Sequence, residues 1–217
     1  MPQIYNELKP EISVVMASFN RANYLERSIG SLLAQTYKSW ELVFVDDGSS
    51  DNTFEVLNNY LMQYENIRYM KHKNKNLALS RNTGIVASTG NYITFLDSDD
   101  EYESNHLEIR INIVTENPEI DLIYSGIKII GNSFVADKYD PTKLIHLNEC
   151  VVGGTFFGKR KMFIELGGFK NLPYSEDSEF FERAEKKYHV IKIDSATYIY
   201  HRDVPDSITN RLLSNEQ

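Results

Sequence analysis

The spacing of apolar residues alternates between two periods along the first half of the chain. Ile12-Ser13-Val14-Val15-Met16-Ala17 is a short apolar run bounded by Pro10 and Asn20, which predicts a buried strand. Leu25, Ile29, Leu32 and Leu33 then share one face of a helix over about Arg21 to Thr36, with Asn20 as the expected N-cap. Glu41-Leu42-Val43-Phe44-Val45 predicts a second strand, ending at Asp46-Asp47-Gly48-Ser49-Ser50. Asp51 opens a second helix with Phe54, Leu57 and Leu61 at helical spacing. A third strand follows at Ile67 to Met70, a third helix at Leu77 to Ala87, and a fourth strand at Asn91 to Leu96. Strand and helix alternating in this way predict an α/β fold, a mostly parallel sheet covered by helices on both faces.

The second half is less regular. A helix over Asn105 to Thr115 leads to a strand at Asp121 to Ser125. Residues 127–149 mix short apolar runs with Asn132, Asp137, Asp140 and Pro141 and specify no clear element. Val151 to Phe157 reads as a strand, and Lys161 to Leu166 as a helix ended by Gly167-Gly168. Glu176 to Lys187 reads as another helix and Thr197 to Tyr200 as the closing strand. No repeat, low-complexity tract or linker separates the halves, so one domain over residues 1–217 is expected, the second half extending the first.

Composition mainly excludes. With 41% hydrophobic and 25% charged residues the chain has ordinary globular usage, so a packed core is expected and wholesale disorder is not. A net charge of −8 argues against a nucleic-acid partner, although an acidic protein can still bind an anion through a metal. Cys150 stands alone, cannot form an internal disulfide and reads as a small core residue beside Val151-Val152. No apolar run is long enough to span a bilayer, and Met1 to Pro10 lacks a signal-peptide core. A cytoplasmic protein is therefore expected, with peripheral attachment to the inner face of the membrane left open.

In an open parallel sheet, ligands bind beyond the carboxyl ends of the strands. Three polar clusters fall there: Ser18-Phe19-Asn20, Asp46-Asp47-Gly48-Ser49 and Asp97-Ser98-Asp99-Asp100. Three carboxylates within four residues repel one another, and a hard cation such as Mg²⁺ or Mn²⁺ resolves the conflict; a solvated acidic turn is the plainer alternative. Asp46-Asp47 could ligate metal, form a turn on Gly48, or accept the N3 proton of a pyrimidine, with base recognition favoured. Phe19 could stack on that base or sit in the core. Arg81, one turn inside the third helix, could reach a carboxylate or a phosphate. Glu176-Asp177 opens a helix, where carboxylates either cap it or serve as a general base. His201, taken alone, reads as structural.

With those residues laid out, the chain resembles the family 2 glycosyltransferases of GT-A fold. The likeness runs in order through Ser13-Val14-Val15 with Ser18-Phe19-Asn20, Glu41-Leu42 with Val45-Asp46-Asp47-Gly48-Ser49-Ser50-Asp51, and Arg81-Asn82-Thr83-Gly84-Ile85. It continues in Gly90-Asn91-Tyr92-Ile93, Leu96 to Asp100, Leu166-Gly167-Gly168-Phe169, Glu176-Asp177, and His201 with Ser207-Ile208. The resemblance implies a nucleotide-sugar donor, UDP-linked, contacted by Ser18, Phe19, Asn20, Asp47, Arg81 and Asp97. It implies Mn²⁺ or Mg²⁺ on Asp99 with His201, Asp177 as catalytic base, and a glycan or lipid-linked saccharide acceptor in polysaccharide biosynthesis. Residues of about 10–103 would form the donor half and about 104–217 a smaller, mixed acceptor half. Two positions depart from the family pattern: Ala17 stands where Thr or Ser is usual and Asn76 where Gly is usual. The lack of a Gln-x-x-Arg-Trp motif and of membrane helices favours single addition over processive synthesis. A metal-dependent nucleotidyltransferase or phosphohydrolase would want a basic, glycine-rich loop after the first strand, which Ala17 to Arg21 does not supply. A non-catalytic nucleotide-sugar-binding domain would have no use for Asp47, Asp97, Asp99 and Asp177 together.

Overall fold

The computed structural model describes residues 9–137, 140, 142–172 and 174–205. Met1 to Leu8, Pro141, Pro173 and the Ser207-Ile208 pair lie outside the described residues. Numbered in chain order, the first half gives β1 (Ile12–Ser18), α1 (Ala22–Leu33), β2 (Trp40–Asp46), α2 (Thr53–Leu61), β3 (Ile67–Lys71), α3 (Leu77–Ala87) and β4 (Tyr92–Phe95). There follow β5 (Glu101–Tyr102), α4 (His106–Glu116), β6 (Leu122–Ile130), β7 (Phe134–Ala136), β8 (Leu144–His146), β9 (Phe157–Lys159), α5 (Arg160–Glu165), α6 (Glu176–Glu185) and β10 (Val190–His201).

Eight strands form one sheet in the order β3-β2-β1-β4-β9-β6-β10-β5, and β7 pairs with β8 in a separate hairpin. The β1–β2, β2–β3, β1–β4 and β6–β10 pairs are parallel, while β9 runs against both of its neighbours. The chain leaves β1 toward β2 and β3, then crosses back to place β4 on the other side of β1. That reversal opens a crevice at the carboxyl ends of β1 and β4, where Ser18 and Asp97 emerge. Strand β1 is buried on both faces: Val14 and Met16 pack with Leu25, Ile29 and Phe44, and Val15 packs with Ile85, Phe95 and Phe163. Each such side chain contributes about 1.5–3 kcal/mol by leaving water. Gly84 lets α3 ride close on that sheet, since a Cβ there would lie 2.3 Å from Val15 Cγ1. The close approach carries Arg81, one turn earlier, to the edge of the crevice.

Four expectations change. Helix α1 begins at Ala22 with Arg21 at the N-cap; Asn20 takes φ +54° and its Oδ1 accepts the Ser50 amide instead of capping. The Val151 to Phe157 strand is broken by a single 3-10 turn at Gly153–Thr155. Thr155 bonds back to the Val152 carbonyl through both its amide and its hydroxyl, at 2.9 and 2.8 Å, which closes the turn before β9 can start. The closing strand starts at Val190, not Thr197, and a bulge between Ile193 and Tyr198 interrupts its pairing with β6. Ile191 to Asp194 alternate as a half-exposed strand does, but Ser195-Ala196-Thr197 interrupt the alternation at the bulge, which hides the strand's full length. Within residues 127–149 the chain extends β6 and then forms the β7–β8 hairpin.

The Glu41 carboxylate ties the far end of the sheet together. Its Oε1 accepts from Ser13 Oγ at 2.6 Å and from the Thr89 amide and hydroxyl at 2.7 and 2.8 Å, while Arg68 Nη2 reaches Oε2 at 2.6 Å. Burial opposes ionisation, but these donors outweigh it and hold the Glu41 carboxyl below the usual range. A depressed carboxyl stabilises the fold above its unfolded-state pKa, and that stability is lost as pH falls through the folded value. Glu41→Gln is therefore expected to lower the unfolding free energy by about 1–3 kcal/mol at neutral pH. Denaturant titrations at decreasing pH should show the gap between wild type and variant closing below about pH 4.

Candidate functional site

A cavity of about 700 Å³ opens at the carboxyl ends of β1, β2 and β4 and is closed on the other side by the β7–β8 hairpin, the Cys150 to Gly153 segment and α6. Of the residues expected to act, Ser18, Phe19, Asp47, Arg81, Asp97, Asp99, Asp177 and His201 all line it. Asn20 does not: its side chain serves the turn at Ser50. Arg21, read from sequence only as the start of a helix, does line the cavity.

The Asp46-Asp47 pair separates by role. Asp46 is buried in its own turn, accepting the Ser49 amide at 2.7 Å and the Tyr69 hydroxyl at 2.8 Å. Asp47 faces the cavity, fixed by the Lys75 amide at 2.8 Å on Oδ1 and the Asn76 amide at 2.9 Å on Oδ2. Asn76 holds that loop by taking φ +101° and capping α3 through Leu79 N. Phe19 is 39% exposed at the cavity wall, free of the core that was its alternative place.

The Asp97-Ser98-Asp99-Asp100 run divides in the same way. Asp97 Oδ1 accepts from Arg81 Nη2 at 2.7 Å. Asp99 Oδ2 lies 3.4 Å from Arg21 Nε, and its carbonyl accepts from Arg27. Burial and the Asp97 charge raise the Asp99 carboxyl, with Arg21 opposing them. Asp100 turns inward, accepting the Tyr198 hydroxyl and the His201 amide, each at 2.7 Å. Its carboxyl is pushed well above the usual range by burial and by its two acidic neighbours. The Ser98 carbonyl accepts from Ser28 Oγ on α1. Asp100 and Ser98 thus anchor the loop, while Asp97 and Asp99 face the cavity.

Arg81 joins the two halves of the site. Fully buried between the rings of Phe95 and Phe169, it gives Nη2 to Asp97 and Nη1 to Glu176 Oε1 at 3.0 Å. Burial disfavours its charge, and Asp97 and Glu176 more than offset that. Next to Glu176, Asp177 Oδ2 accepts the Gly153 amide at 3.0 Å and Oδ1 its neighbour's Ser178 amide at 2.8 Å. Burial raises the Asp177 carboxyl, with Arg81 opposing. Gly153 has no room for a side chain, since a Cβ would meet Arg81 Nη1 and Asp177 Cβ at 3.1 Å each. Tyr198, which sequence reasoning passed over, braces this turn: a Cβ on Gly154 would lie 2.4 Å from its ring.

Apart from the inward-turned Asp100, nine carboxylates line the cavity against two guanidiniums among the described residues, so its lining is strongly acidic. Asp97 and Asp99 offer oxygens, and His201 offers a buried Nε2 with no hydrogen bond, 3.3 Å from Glu101 Oε1. That set suits Mn²⁺ or Mg²⁺ in kind. Among the described residues no three such side chains stand close enough to hold an ion by themselves. Phosphate oxygens would complete the coordination.

The model of glycosyl transferase family 2 matches residues 13–175. The chain is 37% identical over 150 residues to the Escherichia coli UDP-Glc:alpha-D-GlcNAc-diphosphoundecaprenol beta-1,3-glucosyltransferase WfgD, covering 65% of this chain and 57% of that one. It is 29% identical over 171 residues to glycosyltransferase GlyA of Streptococcus pneumoniae, covering 79% of this chain and 23% of that one. The chain therefore spans less than two thirds of either relative. Among solved structures, S. aureus TarS 1–349 in complex with UDP-GlcNAc matches with a TM-score of 0.72 at 20% identity, over 88% of this chain and 58% of that one. The mannosyltransferase PcManGT of Pyrobaculum calidifontis, in complex with GDP-Man and Mn²⁺, matches with a TM-score of 0.70 at 17% identity, over 91% and 58%. These likenesses establish the fold as GT-A.

Removing one partner from a buried ion network leaves the others uncompensated. Arg81→Met should lower the unfolding free energy by about 3–5 kcal/mol, and adding Asp97→Asn with Glu176→Gln should recover much of it. Urea denaturation of the wild type and these two variants checks this; a loss below about 1 kcal/mol would place Arg81 among weak surface pairs.

Proposed function

The chain belongs to glycosyl transferase family 2, and from that premise we propose that it moves a sugar from a UDP-linked donor to a hydroxyl of a glycan or lipid-linked saccharide, inverting the anomeric centre and adding one unit at a time. The observation that carries this reading is the Arg81 clamp, which brings the Asp97 end of the donor crevice within one bonded network of Glu176-Asp177. Residues of about 10–103 hold the donor and about 104–217 the acceptor, the two halves forming one domain across a continuous sheet.

Asp47, held by two amides, presents its carboxylate to the imide proton of the base, and Phe19 offers a ring to stack on it. Ser18 Oγ, buried without a hydrogen-bond partner, is available to the donor. The TarS complex with UDP-GlcNAc and the UDP-Glc named for WfgD support a uracil base, while Ala17 removes a hydroxyl that would otherwise help to read it. A divalent cation on Asp99, with His201 and with Asp97 in support, would neutralise charge on the departing diphosphate. Asp177 accepts the proton of the acceptor hydroxyl as that oxygen bonds to the anomeric carbon and the bond to the diphosphate breaks. The Gly153 and Ser178 amides aim its carboxylate, and burial keeps it basic enough to take a proton.

No helix among the described residues is long and apolar enough to cross a membrane. The lipid-linked acceptor named for WfgD supports work at the inner face of the membrane, on the cytoplasmic side, through peripheral contact.

Asp177→Asn separates binding from chemistry. Donor affinity, measured by calorimetry with the metal present, should hold within about threefold, while turnover falls by about 10²–10⁴. Donor binding and turnover lost together in a folded variant would remove Asp177 from the role of base.

A further inference from the structure

Asp47 has a side-chain neighbour behind the cavity wall. His72 follows β3, and its amide donates to the Asp46 carbonyl at 3.1 Å, which ties it to the turn after β2. Gly48 lets the 72–76 loop lie close on that turn. A Cβ there would stand 2.9 Å from the Asn74 amide nitrogen and 3.2 Å from the His72 carbonyl oxygen. The imidazole is left 15% exposed, and His72 is not among the described residues that line the cavity. Its Nδ1 lies 2.9 Å from the Lys73 carbonyl oxygen and 3.2 Å from Asp47 Oδ1. Both of those atoms are acceptors, so Nδ1 carries the ring proton. On the other edge Nε2 stands 3.4 Å from the hydroxyl of Ser80 on α3, a residue of the cavity lining.

We propose that His72 is a positioning residue for nucleotide recognition: it holds the Asp47 carboxylate with Oδ1 turned to the protein and Oδ2 to the base, without touching the nucleotide. The inference rests on the reading of Asp47 as the acceptor of the uracil N3 proton. Oδ1 takes the Lys75 amide at 2.8 Å and faces the imidazole N–H. Oδ2 takes the Asn76 amide at 2.9 Å and keeps an acceptor position for the imide. A carboxylate already pinned has little freedom left to lose when the nucleotide arrives, so its bond to the base keeps more of its strength. The imidazole adds a side-chain contact to the two backbone ones, and it is the contact that a substitution can remove.

A double-mutant cycle on UDP binding tests this, read by calorimetry on the intact chain with Mn²⁺ present. His72→Phe keeps a ring but removes the N–H, and should weaken UDP by about tenfold. His72→Asn, whose side-chain amide can take the place of Nδ1–H, should bring UDP affinity back to within about threefold of wild type. In an Asp47→Ala background, His72→Phe should change UDP affinity by less than about twofold, because the group it acts through is gone. Thermal unfolding without ligand checks that each variant is folded. His72→Phe binding UDP as tightly as wild type would overturn the proposal. So would an equal loss with and without the Asp47 carboxylate, or His72→Asn weakening UDP as much as His72→Phe. Asp47→Ala binding UDP as wild type does would strike the base-reading role of Asp47 itself, and the proposal with it.

Discussion

One buried cation organises this site. Arg81 is enclosed by aromatic rings and answers to Asp97 on the donor loop and Glu176 at the start of α6. An isolated guanidinium in that position would be costly, and so would the two carboxylates without it. Each therefore fixes the place of the others. The chain reaches this arrangement through Gly84, whose missing side chain lets α3 press on β1, and through Gly153, whose missing side chain leaves room for both Arg81 and Asp177. Two glycines thus set the spacing between the donor crevice and the candidate base.

The acidic run after β4 illustrates how one motif divides its labour. Four consecutive residues leave the strand, and the fold sends them in different directions. Asp97 goes to Arg81, Asp99 to Arg21, and Asp100 back into the protein to Tyr198 and the His201 amide. The inward turn of Asp100 ties this loop to β10 and so brings His201 to the same cavity. His201 reaches the site because its own backbone holds the loop, which a reading of side chains alone does not reveal.

Much of this was legible before the structure. The Leu77–Ala87 helix carries the same boundaries in both, and the parallel strands of the first half follow from short apolar runs with turn residues at their ends. The separation of Asp46 from Asp47 was not legible, because two adjacent carboxylates look alike until the turn decides which one faces in. The break at Gly153–Thr155 was hidden by an apolar flank; besides the bonds of Thr155 to the Val152 carbonyl, the Gly153 amide there donates to Asp177, 24 residues away. Strand β10 was half hidden because Ser195-Ala196-Thr197 interrupt its alternation at the bulge. Arg21 was missed since a residue at a helix start draws attention to the backbone, not to its head group. The glutamate at position 41, read as the first residue of the second strand and again in the resemblance, has four donors that show it serves the sheet and lies away from the cavity.

In the proposed function, the acidic cavity would hold a nucleotide diphosphate through a divalent cation. Among the described residues nine carboxylates besides the inward Asp100 line the cavity against two guanidiniums, so the proposed cation should decide whether a diphosphate binds. Thermal unfolding of the intact chain with UDP, with and without Mn²⁺ or Mg²⁺, tests it most directly. With the metal present, UDP at ~100 times its dissociation constant should add about 2.7 kcal/mol, raising Tm by about 5–10 °C. Without the metal, the same UDP should leave Tm almost unmoved. Equal stabilisation with and without the ion, or none from UDP with either ion, would rule out metal-mediated binding of the diphosphate.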